Sequence, residues 1–249
     1  MPTLNQPRLR YTPAGRRNSK GPETMRKLLL AAALLAVPAA APAGIVLSQA
    51  VVDIQSGAPT AQDIEVWNDS GEVAYVVAQP AEIVAAGQPA EHRVPVDDPD
   101  AGGLLVTPQR LILQPQERKL VRVAAVGARG AADQVWRVTI KPVAGSVTAP
   151  VSALKLLVGY DVLVILRPEA PAPKLVGSRT GSVLTLTNTG NTNVEVYDGH
   201  QCPAPGAADC KPVPSRRIYP GASWSQTLPG SGPVDYHLAA GRPAGVQTF

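Results

Sequence analysis

The sequence predicts an all-β protein: two immunoglobulin-like β-sandwich domains that follow a cleaved N-terminal signal peptide. Three observations support this prediction: a basic and then apolar N-terminus, short β-type runs spaced roughly ten residues apart, and a proline-rich link near residue 170. The 249 residues are 45% apolar and 17% charged, which is typical of a globular protein. We therefore expect the chain to form hydrophobic cores.

Residues 1–43 are predicted to be a secretory signal peptide. The first 27 residues hold seven Lys or Arg and one acidic residue, and residues 28–41 form an apolar run that ends at Ala41-Pro42-Ala43. The run is shorter than the roughly 20 residues that cross a membrane, and its prolines disfavour a continuing helix. We expect cleavage after Ala43, export to the periplasm and no stable membrane insertion of the mature protein. A retained N-terminal anchor is the alternative, and translation from Met25 would omit residues 1–24.

The charge of the chain divides unevenly at this cleavage site. The whole chain has a formal charge of +4, which by itself would suggest an anionic partner. The 206 residues after Ala43 carry 16 basic and 18 acidic side chains, so their net charge is −2. Nucleic acid is therefore not an expected partner, because the exported part has no excess of positive charge to bind phosphates.

The pattern of the exported part predicts a succession of short strands separated by turns that contain Gly, Pro and Asn. Alternation is clearest near residue 138, where Trp136, Val138 and Ile140 occupy one face and the more polar Arg137 and Thr139 the other. In chain order, the predicted strands cover residues 50–54, 63–67, 72–78, 110–113, 119–126, 134–141, 154–166, 182–187 and 193–197.

A boundary between two domains is predicted at the sequence Arg167-Pro168-Glu169-Ala170-Pro171-Ala172-Pro173. Residues 44–168 and 169–249 are each long enough for one sandwich. Cys202 and Cys210 lie eight positions apart in the second domain, and in an exported protein such a pair most simply forms a disulfide that closes a hairpin loop. A redox pair is the alternative, but it would need C-x-x-C spacing or an activating base.

The sequence offers no site for catalysis. The three histidines, His92, His200 and His237, stand apart and form no metal-binding motif, and no nucleophile elbow or phosphate loop is present. We therefore predict a binding protein rather than an enzyme, with no metal and no cofactor.

Residues 154–166 are the most unusual segment, because thirteen residues contain only two charges. This apolar run is longer than the roughly six residues of a typical strand. Such a run forms either a central strand of a sheet or an edge strand whose apolar side chains another protein covers. Leu154, Leu156 and Val158 share one parity and would project from the same face. The sequence leaves both interpretations open.

Several segments resemble, in type and order, the PapD-like periplasmic chaperones of pilus and fimbrial assembly. The resemblance covers essentially the whole exported chain, and the order of the segments carries more weight than any one of them. They are Trp67-Asn68-Asp69-Ser70, residues 107–111, 114–118, 120–123 and 135–142, Val164-Ile165-Leu166-Arg167-Pro168, residues 186–191 and Ile218-Tyr219-Pro220-Gly221-Ala222.

The resemblance implies donor-strand complementation, in which the chaperone lends a strand to a pilus protein that lacks its own final strand. Leu154, Leu156 and Val158 would then be the subunit-binding row. Pilus or fimbrial subunits and an outer-membrane usher would be the partners. The alternative function is that of an extracytoplasmic structural or adhesive two-domain protein without chaperone activity.

Two positions depart from the family pattern. The family places an arginine in its first strand and a lysine in its last, which together hold the carboxylate at the end of the bound pilus protein; Gln49 and Leu163 occupy these positions here. Lys155 and Arg122 are therefore alternative candidates for the anchor. Arg167 and Asp235 match positions that tie the two domains together in the family, and we expect them to form an ion pair.

Overall fold

The computed structural model describes residues 44–57, 59–96, 103–143, 157–204 and 207–249, and these residues are organised around β-strands. Residues 1–43, the predicted signal peptide, lie outside the described residues. Among the described residues, no helix is long and apolar enough to cross a membrane.

Among the described residues, ten strands precede the proline-rich link and form two facing sheets. One sheet has the order β1-β3-β8-β6, and the other has the order β2-β10-β9-β4-β5, with β7 also pairing with β4. Their bounds are β1 Ile45–Leu47, β2 Val51–Ile54, β3 Ala61–Asn68, β4 Ala74–Val84, β5 His92–Pro95, β6 Leu104–Thr107, β7 Arg110–Leu113, β8 Arg118–Ala125, β9 Gln134–Val143 and β10 Tyr160–Leu166.

In the described part of the chain after the link, eight further strands form a second pair of sheets. One sheet has the order β11-β12-β16, and the other has the order β14-β13-β17-β18, with β15 also pairing with β13. Their bounds are β11 Leu175–Thr180, β12 Val183–Asn188, β13 Val194–Gln201, β14 Lys211–Val213, β15 Arg216–Ile218, β16 Ser223–Thr227, β17 Val234–Ala239 and β18 Pro243–Thr248.

Each pair of sheets encloses its own apolar core. The first core contains Trp136 and Ile140 of β9 together with Val162 and Val164 of β10, and the second is built around Tyr236 of β17. The alternating pattern predicted for residues 134–141 is confirmed, because Trp136, Val138 and Ile140 are buried in the first core. The predicted all-β fold with two sandwiches is likewise confirmed.

The chain changes sheets near its described N-terminus. β1 pairs antiparallel with β3 in one sheet, and β2 pairs parallel with β10 in the other. Residues 48–50 make the crossing, so the first segment of the sandwich contributes to both sheets. This crossing places β2 beside β10, the strand that leads into the second domain.

Both domains use a buried asparagine at the end of a strand to hold a turn. Asn68 Nδ2 donates to the carbonyl oxygens of Glu72 (2.7 Å), Leu113 (3.1 Å) and Gln114 (3.0 Å). In the second domain, Asn188 Nδ2 donates to the carbonyls of Thr192 (2.9 Å) and Ile218 (2.8 Å). Both asparagines are fully buried, and their amide groups donate to backbone carbonyls at strand ends and in turns.

The Asn68→Ala variant is expected to lose about 1–3 kcal/mol of unfolding free energy, because the buried carbonyl of Leu113 would lose its donor. Urea denaturation followed by circular dichroism measures the change. Gln79→Ala, which removes an exposed amide from β4, is the control and should unfold at the wild-type midpoint. Equal midpoints for Asn68→Ala and the wild-type protein would contradict this role for the asparagine.

Candidate functional site

β10 is buried on both faces over most of its length. Val162, Val164 and Leu166 point into the first core, whereas Leu163 and Ile165 join a separate apolar cluster with Val135. Tyr219 of the second domain packs against this separate cluster. The apolar run of residues 162–166 is therefore explained by two layers of packing, the inner core and the contact between the domains.

The N-terminal end of this segment has a different environment. Val158 has the same parity as the core-facing Tyr160 and Val162, but its side chain is 51% exposed, and Leu157 beside it is also exposed. The first core therefore ends at Tyr160, and the next residue of the same parity, Val158, is exposed to solvent. Residues 157–159 are not in a strand, so the described part of β10 is shorter than predicted. Leu154, Lys155 and Leu156 lie outside the described residues.

One side of this segment also lacks a neighbour. Among the described residues, β2 pairs with β10 only from Leu163 to Leu166, while β9 pairs with it from Tyr160 onward. Within the described part of the chain, the backbone from Tyr160 to Val162 therefore has no pairing strand on the side away from β9. An unpaired edge next to an exposed apolar side chain is the geometry that strand addition uses.

Arg167 follows β10 directly and lies completely buried between the two domains. Its guanidinium group makes a bidentate contact with the Asp53 carboxylate of β2, with Nε–Oδ1 at 2.9 Å and Nη2–Oδ2 at 2.7 Å. Its Nη1 atom lies 3.9 Å from an oxygen of Asp133, whose side chain is fully buried. Two carboxylates of the first domain therefore face this one cation.

The second domain completes the network. Arg167 Nη1 donates to the hydroxyl of Thr192 and to the carbonyl of Asn193 (3.3 Å). Asp133 in turn accepts hydrogen bonds from the Thr192 hydroxyl (2.8 Å) and from the backbone N–H of Asn193 (2.6 Å). Arg167 thus ties the domains together through polar groups of both, as charge-assisted hydrogen bonds allow.

The expected Arg167–Asp235 ion pair is wrong. Asp235 lies on β17, opposite His200 of β13, and its carboxylate accepts a hydrogen bond from the Thr248 hydroxyl (2.5 Å). Arg167 instead uses Asp53 of its own domain and the residues that precede β13. The resemblance identified the arginine but not the acid, because the acid that faces it comes from a neighbouring strand of the same sheet.

Gly241 brings a second part of the C-terminal domain against this network. It has a φ of +72°, which favours glycine, and a Cβ atom there would overlap Gln55 Nε2 and lie 3.1 Å from Arg167 Nε. A residue with a side chain at this position would therefore displace the polar groups around Arg167.

The two substituted anchor positions lie next to each other. The Leu163 N–H donates to the carbonyl of Ala50 (3.0 Å), which places Gln49 one residue away. Leu163 is buried in the apolar cluster, and Gln49 Nε2 already donates to the carbonyl of Asp63 (3.3 Å). Neither residue presents a charge, so neither can supply the cation that a bound carboxylate would need.

Arg122, one of the proposed alternative anchors, lies elsewhere. It is on the solvent face of β8, in the sheet that does not contain β10, and it makes a bidentate contact with Asp63 (2.8 and 2.7 Å). The pKa of Asp63 is lowered, chiefly by its hydrogen bond to Arg122. Arg137 is the basic residue closest in register to Leu163, since the two residues pair directly across β9 and β10.

Asp53, Asp133, Thr192 and Asn193 are parts of this network that the sequence did not predict. One pattern distinguishes Asp53 in the sequence. It stands between the apolar residues Val52 and Ile54, which are buried, and it therefore projects from the opposite face of the sheet. The other three residues lie in connections between strands. Polar residues are common there, and the sequence alone does not show which of them are buried.

The disulfide predicted between Cys202 and Cys210 is confirmed, with an S–S distance of 1.99 Å. It closes the hairpin between β13 and β14. Among the described residues, no group of three or more His, Cys, Asp and Glu side chains could hold a metal ion.

Comparisons with known proteins identify the fold. No protein-family model matches the chain. Among curated proteins, the chain is similar to a CFA/I fimbrial subunit of Escherichia coli, with 26% identity over 210 residues that cover 80% of this chain and 87% of the relative.

Solved structures give the clearer comparison. The class 5 fimbriae chaperone CfaA superimposes with a TM-score of 0.62 and 23% identity, covering 82% of this chain and 98% of that one. A chain in the complex of the Salmonella enterica SafA pilin with the SafB chaperone gives a TM-score of 0.60 and 18% identity, covering 85% and 98%. The chain therefore has the two-domain fold found in fimbrial chaperones, the fold that the PapD-like resemblance implied.

The Arg167→Met variant is expected to lose about 3–5 kcal/mol of unfolding free energy, because removing the cation leaves buried carboxylates without their partner. Guanidinium denaturation measures the loss. Arg122→Met is the matched control: it removes a bidentate contact to an aspartate that lies on the solvent face, and its midpoint should stay close to wild type. Equal losses for the two variants would contradict a special role for Arg167.

Proposed function

We propose that this chain is a non-enzymatic periplasmic chaperone of the PapD-like type, which stabilises pilus or fimbrial subunits by donor-strand complementation and passes them to an outer-membrane usher. The observation that carries the proposal is the open end of β10, where the core-facing row runs past Tyr160 to an exposed Val158 beside an unpaired backbone edge. The fold shared with fimbrial chaperones and the predicted signal peptide support it.

The proposed site consists of Leu154, Leu156 and Val158. In the complex, main-chain hydrogen bonds to the open edge would supply affinity, and the apolar side chains would fill the groove that a missing strand leaves in the bound pilus protein. The domain arrangement fits this role, because the network around Arg167 fixes β10 from its C-terminal end while its N-terminal end remains accessible.

A second contact surface would serve delivery to the usher. Ile112, Tyr75 and Val143 are exposed and lie side by side on β7, β4 and β9, since Tyr75 pairs in register with both of the others. We name these three residues the outer apolar row. They project from the outer face of the sheet, whereas Val158 continues the core-facing row, so a pilus protein bound at Val158 would leave them free.

Positively charged residues lie on one side of the outer apolar row. The neighbouring register row contains Arg110 and Lys141, which flank Val77, and neither forms an ion pair among the described residues. A partner for this face would therefore present apolar side chains with acidic neighbours. The usher is the partner that must bind after the pilus protein, and this surface remains available at that stage.

One observation favours the alternative function. The curated relative in Escherichia coli is named a fimbrial subunit, which fits a structural protein. A structural or adhesive protein would itself be incorporated into surface fibres, whereas a chaperone would remain in the periplasm. Immunogold labelling of this chain on fibres would reject the chaperone proposal.

The donor segment is tested with Val158→Glu. A buried, unpaired carboxylate in the acceptor groove should reduce co-purification roughly tenfold or more, after periplasmic co-expression with a fimbrial subunit of the same organism. Val158 is 51% exposed in the free chain, so its replacement should not impair folding. Val246→Glu, at a valine that is 59% exposed on β18, is the matched control. Unchanged capture by Val158→Glu would reject strand donation.

The outer apolar row is tested with Tyr75→Asp, at a residue that is 46% exposed. Capture of the fimbrial subunit should stay at the wild-type level, while the number of surface fibres on cells that express the usher should fall about tenfold. Leu120→Asp, at a leucine that is 54% exposed on the opposite sheet, should leave fibres unchanged. Wild-type fibre numbers with Tyr75→Asp, or loss of capture, would contradict assignment of this row to the usher.

A further inference from the structure

Tyr160 is the first residue of β10, and its side chain links the two sheets of the first domain. Its ring packs against the first core, and its hydroxyl donates a hydrogen bond to the carbonyl oxygen of Ile45 (3.0 Å). Ile45 belongs to β1, the strand at the end of the facing sheet. The bond therefore joins the sheets at the edge where, in the described part of the chain, Tyr160 has β9 as its only neighbouring strand in its own sheet.

The environment of residues of the same parity changes at Tyr160. Val162 is fully buried in the first core, Tyr160 is partly buried against it, and Val158 is exposed. Because alternate residues of a strand project from one face, a strand that extended to Val158 would place all three side chains in one row. Tyr160 lies in this row at the boundary between the side chains that fill the first core and the exposed one.

Tyr160 itself is poorly suited to enter another protein. Ile45 is fully buried, so withdrawal of the Tyr160 hydroxyl would leave the Ile45 carbonyl without this donor inside the sandwich. The phenol would in turn lose its acceptor on entering an apolar groove. Val158 is therefore the residue closest to the core whose side chain can enter a partner without breaking this buried hydrogen bond.

Gly159 brings the chain close to β9. A Cβ atom at Gly159 would lie 2.7 Å from Lys141 Cβ and 3.3 Å from Lys141 Cα, closer than the roughly 3.5 Å at which non-bonded carbon atoms attract each other. These are the first atoms of the lysine, so a rotation of its side chain would not relieve the contact. Glycine therefore permits this close approach immediately before Tyr160.

We infer that Tyr160 and Gly159 are positioning residues of the donor segment and that they fix the point at which the lent row ends. Tyr160 holds the root of the segment in the first domain through Ile45, and Gly159 lets the preceding residues lie against β9. Val158 is then the last side chain that a partner receives. This inference rests on the proposed function, because it names how the chaperone holds the strand that it lends.

The link to Ile45 is tested with Tyr160→Phe, which removes the hydroxyl and keeps the ring. Co-purification of a fimbrial subunit of the same organism, after periplasmic co-expression, should fall about fivefold, because the root of the donor segment is no longer held. Tyr236→Phe is the matched control: it removes a buried hydroxyl of the second domain that also donates to a backbone carbonyl, that of Pro214 (2.9 Å). It should capture the subunit at the wild-type level. A merely structural role for Tyr160 would lower the urea midpoint of both variants and the capture of neither.

The close approach is tested with Gly159→Ala. The added methyl group meets Lys141 and should displace the donor segment from β9, so capture should fall about tenfold. Gly159 is exposed, and its replacement should leave the urea midpoint near that of the wild type. Gly71→Ala is the matched control and should capture as the wild type does, since a Cβ atom there meets no described atom within 4 Å.

Hydrogen exchange in the free chain tests the link without a fimbrial partner. The Asp69 N–H donates to the carbonyl of Gly44 (3.0 Å), the residue before β1. If the Tyr160 hydroxyl holds β1 in place, Tyr160→Phe should speed exchange of the Asp69 amide about fivefold, whereas Tyr236→Phe should leave it unchanged. NMR measures these rates, and equal rates in Tyr160→Phe and the wild-type chain would contradict the link.

Wild-type capture by Tyr160→Phe or by Gly159→Ala would overturn the inference and leave the chaperone function intact. Failure of the proposed function has a different signature: the wild-type chain itself would capture no fimbrial subunit, although the Asp69 amide would still exchange faster in Tyr160→Phe. The hydrogen bond to Ile45 would then stabilise the sandwich only, and the positioning role would be rejected together with the function.

Discussion

Arg167 carries a positive charge without contact to solvent, and the placement of both domains follows from satisfying that charge. Its guanidinium group is held by Asp53 of β2 and by Thr192 of the second domain, and Asp133 supports Thr192 from the first domain. A charge in this position stabilises one arrangement only, because any displacement of a domain would leave buried donors or carboxylates unpaired. The network is therefore a constraint on geometry more than a source of net stability.

β10 is the strand that this constraint positions. One of its faces fills the first core, and the other, through Leu163 and Ile165, forms the floor between the domains. The same strand loses its neighbours toward Val158, where the core ends and the edge opens. The two ends of this strand therefore differ, with packing on both faces at one end and exposed side chains at the other.

Of the two residues expected to tie the domains together, the sequence identified the arginine but not the acid. Arg167 could be identified because it ends a recognisable strand and precedes a proline. Its acid could not, since Asp53 is more than a hundred positions away and becomes a neighbour only through the parallel pairing of β2 with β10. Similarly, Gln49 and Leu163 were expected to share a place and do lie together, but only packing reveals that Leu163 is covered and that the Gln49 amide is already bonded.

The sequence by itself determined the β class, the strand pattern near residue 138 and the disulfide, because these depend on local alternation and short spacing. It also missed short strands of three to six residues, such as β14, β15, β16 and β18, whose few and largely exposed residues leave little alternation to detect. Only the tertiary structure decided which apolar residues of β10 are covered and which acid neutralises Arg167. Burial and charge pairing depend on residues that are distant in the chain, and a local sequence pattern does not predict which distant residues come into contact.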